Sequence, residues 1–158
     1  MNKTIYITLI LIFLISCDEN KNISEIKDYV KEVENRSDLN ESITEFITEN
    51  LTEENIGGTS IYELTDNKNK LYRIITQTSL PNDSITNFEF YYKNEKLIFA
   101  KVLQFSNNWS KLDTIRNSEL FFHNNQLIKQ VNINPKGINS DYIKSLAESF
   151  TIKGLGTE

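Results

Sequence analysis

Two stretches of the chain, "NFEFYYKNEKLI" at residues 87–98 and "NSELFFHNNQLI" at residues 117–128, repeat one pattern at an offset of thirty residues. Each runs through β-formers to a polar two-residue step, Asn94-Glu95 or Asn124-Asn125, and then resumes with β-formers. That is the signature of a tight hairpin, because asparagine tolerates the left-handed backbone that such a turn demands. A looser third copy, "IYELTDNKNKLY" at residues 61–72, turns at "DNKN". A lone hairpin is marginal in water, so the three must pair into one antiparallel meander and bury a face. About six strands are expected: "TSIYELT", "KLYRIITQTS", "ITNFEFYYK", "KLIFAKVLQF", "SELFFH" and "QLIKQVNI". Phe88, Phe90 and Tyr92 alternate with Glu89, Tyr91 and Lys93, which lets one sheet face take the helices.

Two helices frame the hairpins. Ile23, Ile26, Tyr29 or Val30, and Val33 recur at helical spacing, with Asn22 placed to cap and Glu25 at the capping-box position. "NSDYIKSLAESF", after Pro135 and Gly137, carries Ile143, Leu146, Ala147 and Phe150 on one stripe. Residues 37–55 fit either element: Leu39, Ile43, Phe46, Ile47 and Leu51 suit a helix, whereas "SITEFIT" suits a strand. Gly57 and Gly58 are expected to break the chain after it. The fold class is therefore α+β, with an N-terminal helix, the meander, and a C-terminal helix packed on one sheet face.

The first residues have a different character. Lys3 is followed by an apolar run from Ile5 to Ile15 interrupted only by Thr8, then Ser16 and the sole cysteine, Cys17. This is the layout of a secretory signal, too short to span a bilayer as a mature helix. Leu14-Ile15-Ser16-Cys17 resembles the lipobox of bacterial lipoproteins, which implies cleavage before Cys17 and acylation of its thiol and new amine. Acyl chains at about 0.8 kcal/mol per buried CH₂ would make such an anchor effectively permanent. The expected organisation is a signal peptide at 1–16, a lipidated tether at 17–22 and one α+β domain at 23–158. A cysteine nucleophile needs a partner base, and the only histidine, His123, lies far along the chain with no matching motif.

The net charge is −5, and it becomes −6 once residues 1–16 are removed, since Lys3 is the only charge among them. An acidic surface disfavours nucleic acid and anionic lipid, whose binding rests on basic contacts. No phosphate loop, Ser/His/Asp order or metal-ligand cluster is present, so no cofactor and no metal are expected. Glu89 and Glu119 occupy equivalent repeat positions, and are either paired acids or solvated cross-strand charges. His123 falls at a hairpin end and reads as an exposed turn residue. Trp109 lies in the longest break between hairpins, as a recognition anchor or folded back onto the sheet, and with Tyr91 and Phe121 it makes a candidate binding patch on the face away from the helices.

The order of helix, "GGTSIYEL", "NKLYRIITQT", "EFYYKNEKLIFAKV" and "ELFFHNNQLIKQV" is similar to a family of exported proteins from Bacteroidota with repeated hairpins of the form "YYFxNGKLIF". The likeness covers about residues 22–150 and departs at Glu95 and Asn125, where the family often has glycine. It implies a fold and no catalytic residues. Asp83-Ser84-Ile85 and Asp113-Thr114-Ile115 resemble O-glycosylation sites of those bacteria, in connections beside the hairpins, which makes Ser84 and Thr114 candidates. Asp18 and Glu19 resemble acidic surface-export signals of the same phylum, or are simply a solvated tether.

These features together suggest an envelope lipoprotein, outer-membrane bound on the periplasmic or surface side, that is no enzyme and binds an envelope protein or glycan. A narrower version is an inhibitor or immunity lipoprotein that neutralises an envelope-targeted toxin or hydrolase. A hydrolase would need paired acids in a cleft, for which Glu89 and Glu119 are the candidates.

Overall fold

The computed structural model describes residues 3–49, 55–79, 84–108, 111–133 and 137–152. Its elements run α1 (Lys3–Asn35), β1 (Asn40–Glu49), β2 (Asn55–Thr65), β3 (Leu71–Ser79), β4 (Ser84–Lys93), β5 (Lys96–Asn108), β6 (Lys111–His123), β7 (Gln126–Asn132) and α2 (Ser140–Ile152). The seven strands form one sheet in sequence order, each antiparallel to the next. The α+β meander between two helices is therefore as expected, with one strand more. That strand is β1, which makes 40–49 of the ambiguous segment a strand, its threonines and isoleucines paired with β2, while 50–54 lie outside the described residues.

The turns explain the hairpins. Asn94, Glu95, Asn124 and Asn125 all have φ between 49° and 63°, the left-handed values of a two-residue hairpin turn. Asp66 organises the third turn, accepting the Lys68 and Lys70 backbone N–H groups at 2.8 and 3.0 Å and the Tyr72 hydroxyl at 3.2 Å. Those backbone donors, Lys70 first, hold the Asp66 carboxyl below its usual range. Among the described residues other than glycine, Glu95 is the one with positive φ that is not asparagine. The left-handed conformation costs such a residue about 1–2 kcal/mol, against about 0.5–1 kcal/mol of extra chain entropy for glycine. Glu95→Gly is thus expected to stabilise the fold by about 0.5 kcal/mol, read as a higher urea midpoint; an unchanged or lower midpoint contradicts it.

Three hairpins share a bulge. Leu64 pairs with Arg73 and Thr65 with Leu71, so Tyr72 is extra; Ile98 and Ile128 are extra in the same way in β5 and β7. Each bulge turns an added apolar side chain toward α1, where Tyr72 is buried and Ile98 and Ile128 are partly so. Period two fails in "KLYR", "KLIF" and "QLIK" for this reason.

The helices lie on opposite faces, which corrects the expectation that one face takes both. Phe90 and Tyr92 are buried with Ile143 and Ala147 of α2, whereas Tyr91 between them is buried with Ile23, Ile26 and Val33 of α1. Adjacent strand residues point to opposite faces, so both faces of the central strands are covered. Their continuous run of large apolar residues follows from that double burial. Asn139 caps α2, its side-chain oxygen accepting the Asp141 and Tyr142 N–H groups at 2.8 and 3.2 Å. The Tyr29 hydroxyl donates to the Tyr92 carbonyl oxygen at 2.8 Å, and the Tyr92 hydroxyl donates to the Ala147 carbonyl oxygen at 2.9 Å. The two bonds tie the helices to one residue of β4.

Two further expectations change. The backbone of α1 is continuous through residues 18–22, so the expected tether is helical and Asn22 sits inside the helix rather than capping it. No proline or glycine interrupts "SCDENKNISE", and nothing in it stops a helix. Gly57 and Gly58 belong to β2 and do not break it. A Cβ at Gly58 would stand 3.0 Å from the Phe46 carbonyl oxygen, so glycine there permits close approach of β1.

Candidate binding groove

Repetition places matching residues on β4 and β6, and the meander places β5 between them. On the α1 face this gives three rows across the sheet: Tyr91, Phe99 and Phe121; Glu89, Lys101 and Glu119; Asn87, Leu103 and Asn117. The aromatic row is packed, with ring centroids 5.7 Å apart for Tyr91 and Phe99 and 5.1 Å apart for Phe99 and Phe121. Helix α1 covers it. The Lys27 ammonium stands 5.6 Å from the Phe121 ring centre, and the Tyr91 hydroxyl donates to Glu34 Oε1 at 3.0 Å. Burial, and then this bond to a carboxylate, push the Tyr91 phenol above its ordinary range.

The second row forms the floor of a groove of about 240 Å3 between α1 and the sheet. Its charged lining is Lys27, Lys31 and Lys101 against Glu34, Glu89 and Glu119, three of each sign. Lys101 stands in register with both sheet acids, with its Nζ 3.8 Å from Glu89 Oε1. Glu89 and Glu119 therefore lie two strand spacings apart, about 9.6 Å between backbones, with a lysine between them. They do not meet as a carboxylate pair; the arrangement is a cross-strand ion row. In the third row Asn87 Oδ1 and Asn117 Oδ1 are buried without a hydrogen-bond partner among the described residues.

The expected binding patch is not formed as predicted. Tyr91 and Phe121 share a face and a row, but they lie under α1, each about 1% exposed, and not on a face away from the helices. The cause is α1 itself, which covers the face opposite α2. Trp109 lies outside the described residues. His123 is exposed at the end of β6. Ser84 and Thr114 are strand residues of β4 and β6 rather than parts of connections; Ser84 is buried and Thr114 is exposed. Lys101, central to the ion row, went unrecognised in the sequence, because an unbulged hairpin turning at Asn94-Glu95 would set Ala100 opposite Glu89.

Among the described residues there is no group of His, Cys, Asp and Glu that could hold a metal ion, and no helix long and apolar enough to cross a membrane. Comparison with protein families, curated proteins and solved structures finds no match.

Proposed function

We propose that this chain is a lipid-anchored protein of the bacterial envelope, held through Cys17, whose domain is a non-enzymatic module that binds a protein partner. The observation that carries the binding role is the outer edge of the sheet. In β1, Ile43, Phe46 and Ile47 are 57%, 50% and 64% exposed. Ile43 and Ile47 share one face of this edge strand and Phe46 stands on the other, so large apolar side chains are exposed on both sides of one free edge, and such a concentration marks a contact surface. A protein is favoured over a glycan because the exposed surface in question is a free strand edge with backbone donors and acceptors, which another chain can pair with, while the expected aromatic partners Tyr91 and Phe121 are sealed beneath α1. The groove's balanced ion row fits a structural role in seating α1, since cross-strand opposite charges stabilise the sheet that carries them.

Anchoring rests on the apolar run ending at Cys17 and is testable by itself. Cys17→Ser is expected to abolish incorporation of labelled fatty acid and to move the protein out of the detergent phase on Triton X-114 partition. Retention of label and of detergent partition would exclude Cys17 as the anchor. The binding role is tested by crosslinking in intact cells and pull-down. One specific envelope protein is expected, and recovery of none across several growth conditions counts against it.

A further inference from the structure

We infer that β1 docks an extended, basic segment of the partner protein, which adds to the sheet as an eighth strand. The inference rests on the binding role just proposed and names its chemistry. β1 is ten residues long and pairs with β2 alone, so its outer edge offers backbone donors and acceptors in strand geometry. Among the described residues it places no side chain in either core cluster.

The side chains of β1 say what would lie beside it. Register sets Glu41, Ile43, Glu45 and Ile47 against Leu64, Tyr62, Ser60 and Gly58, so acids and isoleucines alternate along one face. Arg73 answers Glu41 at 3.4 Å, while no cation among the described residues pairs with Glu45. The strand "NESITEFITE" holds three glutamates and no lysine or arginine. A shallow concavity of about 310 Å3 opens at its far end, lined by Ile47, Gly58, Ser60, Gln77 and Ile85. It gives an incoming aliphatic side chain a place to pack, so the fitting strand alternates basic and aliphatic residues.

A second copy of this chain fits poorly. In a two-fold antiparallel pairing of β1 with itself, every register centred on residues 43 to 47 sets Glu45 against another glutamate or an isoleucine. No register supplies a cation, and like charges directly opposite are destabilising. A net charge of −5 on each copy adds to the repulsion and attracts a basic partner.

The test uses the full chain in detergent and a fluorescent decapeptide alternating lysine and valine, read by polarisation. Controls are the same peptide with glutamate for lysine, and one of identical composition with its lysines in a block. Saturable binding of the alternating peptide alone is expected, with hydrogen exchange slowed in β1. Affinity should fall by about tenfold or more in Ile47→Lys and in Glu45→Lys, both at exposed positions, and stay unchanged in Leu127→Lys on the opposite edge. Equal binding of the blocked peptide, or indifference to the β1 substitutions, overturns the inference. So does a dimer abolished by Ile47→Lys, which would assign the edge to a second copy. A partner captured from cells equally well by wild type and Ile47→Lys would keep the binding role and remove β1 from it. Failure of both the peptide and the cellular capture would remove both.

Discussion

Above about pH 10 the protein is expected to lose stability steeply, because three tyrosines in its fold keep their protons where an unfolded chain releases them. Burial first, and then Tyr72 and Glu32 nearby, push the Tyr29 phenol up to about 12. Burial also raises Tyr92, and burial with the Glu34 bond raises Tyr91. In the unfolded chain each ionises near about 10, so the native state binds more protons above that pH. The stability these phenols contribute is complete below about pH 10 and drains as the pH climbs through the raised native values. Tyr92 alone supplies a slope of about 1.4 kcal/mol per pH unit; half-buried Tyr29, which water reaches, supplies less. Urea midpoints followed by circular dichroism at several alkaline pH values read the effect. Tyr92→Phe isolates the phenol's share: it should lower stability at neutral pH by about 1 kcal/mol, for the lost bond to Ala147, and flatten the alkaline slope. A midpoint that stays level from neutral to strongly alkaline pH would sink this account.

Phe90→Ala is expected to destabilise the fold by about 3–5 kcal/mol, a large part of the 5–15 kcal/mol typical of a domain. Phe90 is fully buried and aligned across the sheet with Ile74, Ala100 and Leu120, all fully buried as well. Its ring centre lies 6.0 Å from that of Phe88, near parallel, and 5.9 Å from that of Phe150 on α2. Truncation therefore opens a cavity at the joint between sheet and helix. The neighbours cannot close it, because Ala100 opposite is already small. Ile43→Ala on exposed β1 should change stability by no more than about 0.5 kcal/mol. Chemical denaturation of the two variants checks the contrast, and a loss below about 2 kcal/mol at Phe90 would contradict the packing described here.

The hairpins were legible in the sequence because their information is local: Asn94 and Asn124-Asn125 turn as asparagine favours, and Glu95 follows against its own preference. The strand nature of β1 was not, since apolar residues at 39, 43, 46 and 47 satisfy helical spacing and β-propensity equally, and only the partner strand decides. The double covering of the sheet was partly visible. "FEFYY" and "KLIFAKV" carry more large apolar residues than a one-faced strand needs, and adjacent Tyr91 and Tyr92 each belong to a different core.

The groove was half legible. Equivalence of Glu89 and Glu119 follows from the repeat, but the bulges at Ile98 and Ile128 leave no unambiguous mark in the sequence. Counting from the turn without a bulge puts every later residue of β5 on the wrong face. The sequence alone therefore does not set Lys101 between the two acids. Nor does it set Phe99 between Tyr91 and Phe121 in one packed row.

The opposite placement of α1 and α2 has a dynamic consequence. Both helices clamp the sheet through β4, β5 and β6, while β1 is held by its ladder to β2. Opening should therefore spread inward from β1, with its amides exchanging fastest and those of β4 to β6 last, near the rate of global unfolding. The strand best placed to receive another chain is thus the one least committed to its own.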